Sequence, residues 1–397
     1  MTAGDHKYLP YGRQFLDEDD IQAVSDVLRG DWLTTGPTVT AFEDKFRAIA
    51  GSDHVVSCSS GTAALHMAYM ALGLGPGDRV IVPSISFVAT ANGALYCGAD
   101  VLFTDVDPGN GMMRARDVLN LIDGLTPDEL ASVGAITPVN LAGEVAEIEA
   151  INSIARQNGW KMIVDSCHAV GSCYGDGRTA GDCHFADMEV FSFHPVKTIA
   201  MGEGGAVTTN DAALYDKLCL LRNHGMERNP DKWTGRGAGK AQPWYYEMQH
   251  LGYNYRQSDI HSALGLSQLK KLPAFMEKRQ KLVAKYDALL TDLSPHIRPI
   301  ASPPGYGAVR HLYVVLIDFG ALGTMREDFV AALSARNIGT QVHYIPIYAH
   351  PYYQDKYGEL SRPGAEEYYA RTLSLPLHVS LTEDDVTYVI EQIADIL

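Results

Sequence analysis

The 397-residue sequence has no CxxC pair, no uninterrupted apolar run long enough to span a bilayer, no internal repeat and no low-complexity tail. Its six cysteines (Cys58, Cys97, Cys167, Cys173, Cys183 and Cys219) are scattered singly, which fits reduced, mostly buried thiols; no metal site is expected. Basic residues are scarce: 32 Lys and Arg stand against 48 Asp and Glu, a formal charge of -16. That balance argues against nucleic-acid binding, which needs dense cationic contacts to phosphate, so any phosphate bound here must be held locally. The opening stretch "MTAGDHKYLPYGRQFLDEDD" lacks the basic-then-apolar layout of a signal peptide, and the expected compartment is the cytoplasm. The nearest approach to a membrane span, "SISFVATANGALYCGADVLF", is broken by Asn92, Gly93, Gly98 and Asp100 and reads as a buried helix running into a strand.

What is present is 46% hydrophobic residue content over a length suited to two domains. From about residue 50 to 225, short β-branched runs alternate with longer Ala- and Leu-rich segments, the pattern of βαβ units and of a mostly parallel sheet covered by helices. The expected strands are "HVVSCS", "RVIVPS", "DVLFTDV", "GAITPVNL", "KMIVDS", "MEVFSF" and "GAVTTN". Helices fit "TAALHMAYMALGL", "FVATANGALYCG", "ARDVLNLIDGL", "EIEAINSIARQNG" and "DAALYDKLCLLRN". "HGMERNPDKWTGRGAGKAQPW" reads as a long loop. A helical stretch from Asp259 to Leu290, interrupted or kinked at Pro273, leads to a smaller α+β unit. The expected division is a large domain over residues 1–260 and a connecting helix with a small C-terminal domain over 261–397.

Three local features point to one chemistry. In "SCSSGTAALHMAY" a strand ends at Ser59-Ser60-Gly61-Thr62 and a helix begins at once, so unpaired N–H groups and a positive helix end face a position that Gly61 leaves open to an anion. A capped helix that binds nothing is the plain alternative. In "MIVDSCHAVGS" Asp165 stands at the C-terminal end of a buried strand, where ligands of open α/β sheets bind, although structural ion pairs explain many such aspartates. In "FSFHPVKTIAMGEGGAVTTND" Lys197 sits between a strand end and Gly202, Gly204 and Gly205, a poor setting for a merely solvated lysine. An anion cradle, a carboxylate for a pyridinium nitrogen and an amine for a Schiff base are together what pyridoxal 5'-phosphate requires.

"SSGTAALHMAYMALGLGPGDRVIVPSISFVATANGALYCGADVLFTDVDP", "DSCHAVGSCY", "FSFHPVKTIAMGEGGAVTTND", "GYNYRQSDIHSALGLSQL" and "LSLPLHVSLTEDDV" closely resemble, in the same order, the sugar aminotransferases of the DegT/DnrJ/EryC1/StrS family. The likeness runs from about Tyr11 to the C-terminus. It implies the aspartate aminotransferase-like fold (fold type I): a large domain with a mostly parallel mixed sheet, plus a smaller C-terminal α+β domain. "YGRQFLDEDDIQAV", "LYCGAD", "SFHPVK", "WYYEMQHLGYNYR" and "VHYIPIYAHPYY" are similar, more narrowly, to the branch that aminates C4 of a UDP-linked 4-keto-6-deoxy sugar in pseudaminic-acid synthesis.

By motif, the resemblance implies that Lys197 carries the cofactor aldehyde and shuttles the proton, and that Asp165 pairs with the ring nitrogen. Gly61, Thr62 and Ser192 would contact the phosphate, Phe87 would stack on the ring, and His168 would stand near the phenolic oxygen. Asn254 of "GYNYR" would reach the phosphate from a neighbouring subunit, so the active unit would be a homodimer with shared sites. The implied partners are L-glutamate and a nucleotide-linked keto sugar, with no nucleic acid and no membrane. Asn140 and Glu144 stand where the family more often shows histidine and glutamine, so contacts near the reacting sugar would differ. Arg222, Arg228, Lys232, Arg236 and Lys240 face only Glu227 and Asp231, an excess of positive charge suited to a pyrophosphate; a solvated mobile loop is the alternative.

Other readings compete. A sugar dehydratase of this fold would carry histidine in place of Lys197, and a catalytically silent protein would have lost Lys197 or Asp165. Among aminotransferases, GDP-perosamine, dTDP-4-amino-4,6-dideoxyglucose or 3-keto-sugar types remain open.

Overall fold

The seven apolar runs between residues 54 and 209 form one sheet: β1 (His54–Cys58), β2 (Arg79–Pro83), β3 (Asp100–Thr104), β4 (Val133–Ile136), β5 (Lys161–Asp165), β6 (Met188–Ser192) and β7 (Gly205–Thr209). The computed structural model describes residues 6–235, 242–291, 293–302 and 307–397. The strand order is β1-β7-β6-β5-β4-β2-β3. β2, β3, β4, β5 and β6 run parallel, whereas β7 is antiparallel to both β1 and β6, so the sheet is mixed and mostly parallel. β6 and β7 are buried throughout, the polar Glu189, Ser192, Thr208 and Thr209 included. β4 ends at Ile136, short of the expected "GAITPVNL". Pro138 has no N–H for a ladder, and the chain keeps its place through the Pro138 carbonyl, which accepts from Asp165 N at 2.9 Å.

The helix Gly61–Leu72 is apolar nearly all round and lies in the main core against the sheet. Four further expected helices appear as Ala89–Tyr96, Ala115–Asp123, Ile148–Gln157 and Ala212–Leu221. The expected loop after residue 224 is partly structured, because β8 (Met226–Glu227) pairs with β9 (Glu247–Met248). The helix Asp259–Thr291 is not interrupted: it runs through Pro273, whose neighbours Leu272 and Phe275 are buried against the chain's third apolar cluster. That packing offsets the missing hydrogen bond.

A second sheet, β10 (Ile297–Pro299), β11 (Tyr313–Ile317) and β12 (Thr372–Leu375), is antiparallel and has its own core with the helices Arg326–Ser334 and Glu383–Ala394. Leu9 of the N-terminal segment joins that core and bridges to Ile338. The connection is pinned by Arg279, fully buried in the long helix, which donates to the carbonyls of Arg310 (3.4 Å), His311 (3.1 Å) and Leu377 (3.3 Å). Among the described residues no helix is long and apolar enough to cross a membrane.

Candidate active site

One edge of the large sheet gathers the residues singled out above. β5 ends at Asp165 and β6 at Ser192, and antiparallel pairing brings the first residue of β7, Gly205, opposite both Ser192 and Cys58. A side chain at Gly205 would place its Cβ 2.3 Å from the Ser60 carbonyl oxygen, so only glycine lets the turn after β1 rest against β7. In that turn the Ser60 hydroxyl caps the helix Gly61–Leu72 by accepting from Ala63 N at 3.1 Å. A Cβ on Gly61 would lie 2.8 Å from Ser192 Cβ and 3.3 Å from Cys167 Sγ. Gly61 therefore packs directly against Ser192 and Cys167 at a helix N-terminus, with the half-buried Thr62 as its next residue.

Asp165 is buried, and its carboxylate is held from two sides. Thr90 Oγ1 donates to Oδ2 at 2.7 Å and Cys167 N donates to Oδ1 at 3.1 Å. Thr90 in turn shares a hydrogen bond of 2.7 Å with Ser86. The same turn presents Phe87, whose ring is 55% exposed and whose carbonyl accepts from Thr90 N at 3.2 Å. Thr90 was not anticipated; it lies inside a quoted motif, but no spacing rule links it to a residue on another strand.

Lys197 answers to a turn built for it. Its N–H donates to the His194 carbonyl at 2.8 Å, Phe193 N reaches Gly204 O at 2.9 Å, and Gly202 takes a positive φ of 78° so that the chain can return into β7. The half-buried ammonium makes no hydrogen bond or ion pair among the described residues. Burial pushes its pKa down, opposed by the nearby Cys167 thiol and the Asp165 carboxylate. An amine with depressed basicity and no protein partner is suited to covalent and proton-transfer work.

His168 is buried three residues beyond Asp165, with Ala142 N donating to Nδ1 at 3.2 Å and Nε2 lying 3.3 Å from the Tyr344 hydroxyl. The His311 ring lies against it at 4.7 Å. Burial, with Lys197 and His343 adding repulsion, holds the His168 pKa well below the usual histidine range, so the ring is neutral.

Behind Asp165 lies a buried network the sequence did not disclose. Glu189 Oε2 accepts from Ser166 Oγ (2.8 Å) and Tyr174 OH (3.0 Å), and Asn140 Nδ2 donates to Ser166 Oγ at 2.9 Å. Burial pushes the Glu189 carboxyl up to about 7, against the pull of the Ser166 and Tyr174 hydrogen bonds. Glu144 is fully buried and pairs with Arg310 at 3.0 Å, where Ser302 also donates to its Oε1 at 2.7 Å. Asn140 and Glu144, expected near a sugar, are thus engaged by buried protein partners.

The expected basic loop meets a different outcome. Arg222 is not a loop cation: it ion-pairs with Glu43 and donates to Ser57 O at 2.9 Å, while Lys232 pairs with Asp216 at 2.6 Å. The guanidinium of Arg228 lies 6.0 Å from the Tyr246 ring, and Arg236 and Lys240 fall outside the described residues. Asn254 is not brought into the site of its own chain. Tyr253 and Tyr255 stack at 5.0 Å and pack around His66, leaving Asn254 exposed between them and without a side-chain hydrogen bond among the described residues. Tyr255 O accepts from Ser59 N at 2.9 Å, so this segment still borders the cradle turn.

Residues 14–394 match the DegT/DnrJ/EryC1/StrS aminotransferase family. The chain is 37% identical to the spore coat polysaccharide biosynthesis protein SpsC of Bacillus subtilis (strain 168) over 401 residues, covering 100% of this chain and 99% of SpsC. Among solved structures it is similar to Helicobacter pylori PseC, an aminotransferase involved in the biosynthesis of pseudaminic acid (32% identity, TM-score 0.88, 98% of this chain and 99% of that one). It is also similar to Streptococcus pneumoniae Spr1654 in its PLP form (26% identity, TM-score 0.86, 98% of each chain). The chain belongs to the DegT/DnrJ/EryC1/StrS aminotransferase family, with the fold of the type I PLP aminotransferases, and is a pyridoxal-phosphate-dependent nucleotide-sugar aminotransferase.

Proposed function

We propose that this enzyme moves the amino group of L-glutamate to C4 of a UDP-linked 4-keto-6-deoxy-N-acetylhexosamine, a step of pseudaminic-acid-type nucleotide-sugar synthesis. The observation that carries this reading is the likeness to PseC across 98% of the chain. The residues fit the cofactor: the lysine amine lacks a protein partner, the strand-end carboxylate is held in place, and the cradle is one that a Cβ at Gly61 would fill. When bound, pyridoxal phosphate supplies an electron sink and a carrier for the amino group between the two half-reactions.

The protein's own residues divide the remaining work. Asp165 holds a proton on the ring nitrogen, and the Thr90 and Cys167 donors keep its carboxylate aimed. Gly61, Thr62 and Ser192 bind the phosphate at the helix N-terminus. Phe87, 55% exposed, would pack against the bound ring. Lys197 Nζ, its pKa depressed by burial, would hold the cofactor aldehyde and serve as the base that moves the substrate proton. Asn254, exposed in its own chain, reaches the phosphate of a second copy, and the working unit is a homodimer.

The test is a panel of UDP-, GDP- and dTDP-linked 4-keto-6-deoxy sugars and one 3-keto sugar, each assayed with glutamate and with products identified by NMR. The expected result is preferential turnover of the UDP-linked N-acetyl sugar with a new amine on C4. Exclusive turnover of GDP- or dTDP-sugars, or amination at C3 alone, overturns the substrate assignment.

A further inference from the structure

Tyr344 enters the site from the C-terminal unit; it lies inside the quoted motif "VHYIPIYAHPYY", from which no role for it was read. Its segment is fastened to β12 by the Gln341–Ser374 bridge and a 2.8 Å hydrogen bond between His343 Nδ1 and Ser374 Oγ, and Tyr368 OH donates to the His343 carbonyl at 3.1 Å. The Tyr344 ring stands 6.1 Å from that of Phe87 and 6.2 Å from that of His168. The charged and titratable groups acting on its hydroxyl come from several directions: Asp165 at the end of β5 and Cys167 just after it, Tyr11 from the N-terminal segment, and Tyr368 from the helix Pro363–Arg371. Burial and these neighbours push the phenol up, so it stays protonated.

The direction of the hydrogen bonds follows. His168 Nδ1 accepts from Ala142 N, so the neutral ring carries its hydrogen on Nε2 and donates it to the Tyr344 oxygen. The oxygen is thereby an acceptor, and the Tyr344 hydroxyl hydrogen has no acceptor among the described residues. Lys197, whose charge also bears on His168, and Asp165 flank the same space.

We propose that Tyr344 is a catalytic residue of this reaction and His168 its positioning residue: His168 orients the Tyr344 hydroxyl, whose free hydrogen would be donated to the phenolic oxygen of the cofactor held on Lys197. The proposal rests on the cofactor placement above and deepens it. It assigns to His168 an action through Tyr344, and it makes docking of the C-terminal unit part of the cofactor's electronic environment.

The experiment is a pH titration of the visible absorbance of the pyridoxal-phosphate-loaded enzyme, with thermal melting as a control. A donor to the phenolic oxygen favours its deprotonated form, so Tyr344→Phe should raise the pH midpoint of the band by about one pH unit or more, with the melting temperature little changed. His168→Leu, which leaves the hydroxyl unoriented, should shift the midpoint the same way by less, and the double variant should shift no further than Tyr344→Phe. An unchanged midpoint in folded Tyr344→Phe overturns the proposal, as does a double variant showing the sum of the two shifts, which would mean that His168 acts directly. A wild-type protein with no visible band overturns the cofactor placement itself, and the proposal with it.

Discussion

Thr90 donates its hydroxyl to Asp165 across 75 residues of sequence, so that the helix after β2 holds the carboxylate at the end of β5. Hydrogen bonds to charged groups contribute about 1.5–3 kcal/mol. Thr90→Val keeps the shape and removes the donor, and kcat should fall by roughly 10- to 100-fold in steady-state assays, with the fold retained by circular dichroism. Ordinary turnover by Thr90→Val would show that Cys167 N alone suffices to hold Asp165.

Gly61→Ala should weaken pyridoxal phosphate retention, since the added Cβ would displace Ser192 from a contact of 2.8 Å. The expected stability cost is about 1–3 kcal/mol, typical of overpacking, together with at least a tenfold weaker cofactor Kd measured by fluorescence titration. A Kd equal to that of the wild type removes Gly61 from the cradle.

Lys197→Ala should abolish turnover without unfolding the chain, because the proposed role of the amine is proton transfer and it makes no hydrogen bond or ion pair among the described residues. Mixing it with Asn254→Ala should restore part of the activity, since each mixed dimer holds one site free of both lesions. If subunit exchange is demonstrated by mass spectrometry and the mixture is no more active than its parents, the shared site is refuted.

Arg310 and Glu144 form a buried pair, and burial already pushes the Glu144 carboxyl up while Arg310 pulls it down. Arg310→Met strands the carboxylate and should cost about 3–5 kcal/mol in urea denaturation. The double variant Glu144→Leu/Arg310→Met should recover most of that loss. A double variant as unstable as the single one would assign the damage to packing.

Glu189 gives stability a pH dependence of unusual sign for a carboxylate. Its folded-state pKa of about 7 lies above the ordinary value of 4.5, so the folded state binds more protons than the unfolded state between those limits. Stability from this group is fully present below about pH 4.5 and is lost as pH rises through 7, by at most about 3 kcal/mol. Glu189→Gln removes the titration, so its stability relative to the wild type should improve from pH 5 to pH 8 in chemical denaturation. A pH-independent difference would show that burial does not raise the Glu189 pKa. The buried His168 and His343 act oppositely at acid pH: their lowered values mean that stability falls as pH drops below about 6.5.

Local sequence determined the strands of the large sheet, the Ser60 cap, the Gly61 opening and the end positions of Asp165 and Lys197, because periodicity, capping and strand termination act over a few residues. It also displayed the family through motifs that are themselves local. Only tertiary structure decided which polar groups meet. Arg222 lies in a basic stretch yet pairs with Glu43, 179 residues away, and His168 finds Tyr344 at a separation of 176. Asn140 and Glu144, adjacent to a sugar by analogy, are engaged by Ser166 and Arg310. The physical reason is desolvation: a buried donor or acceptor must take a partner where the folded chain supplies one, and sheet register and the docking of the second core, not sequence spacing, set where that is.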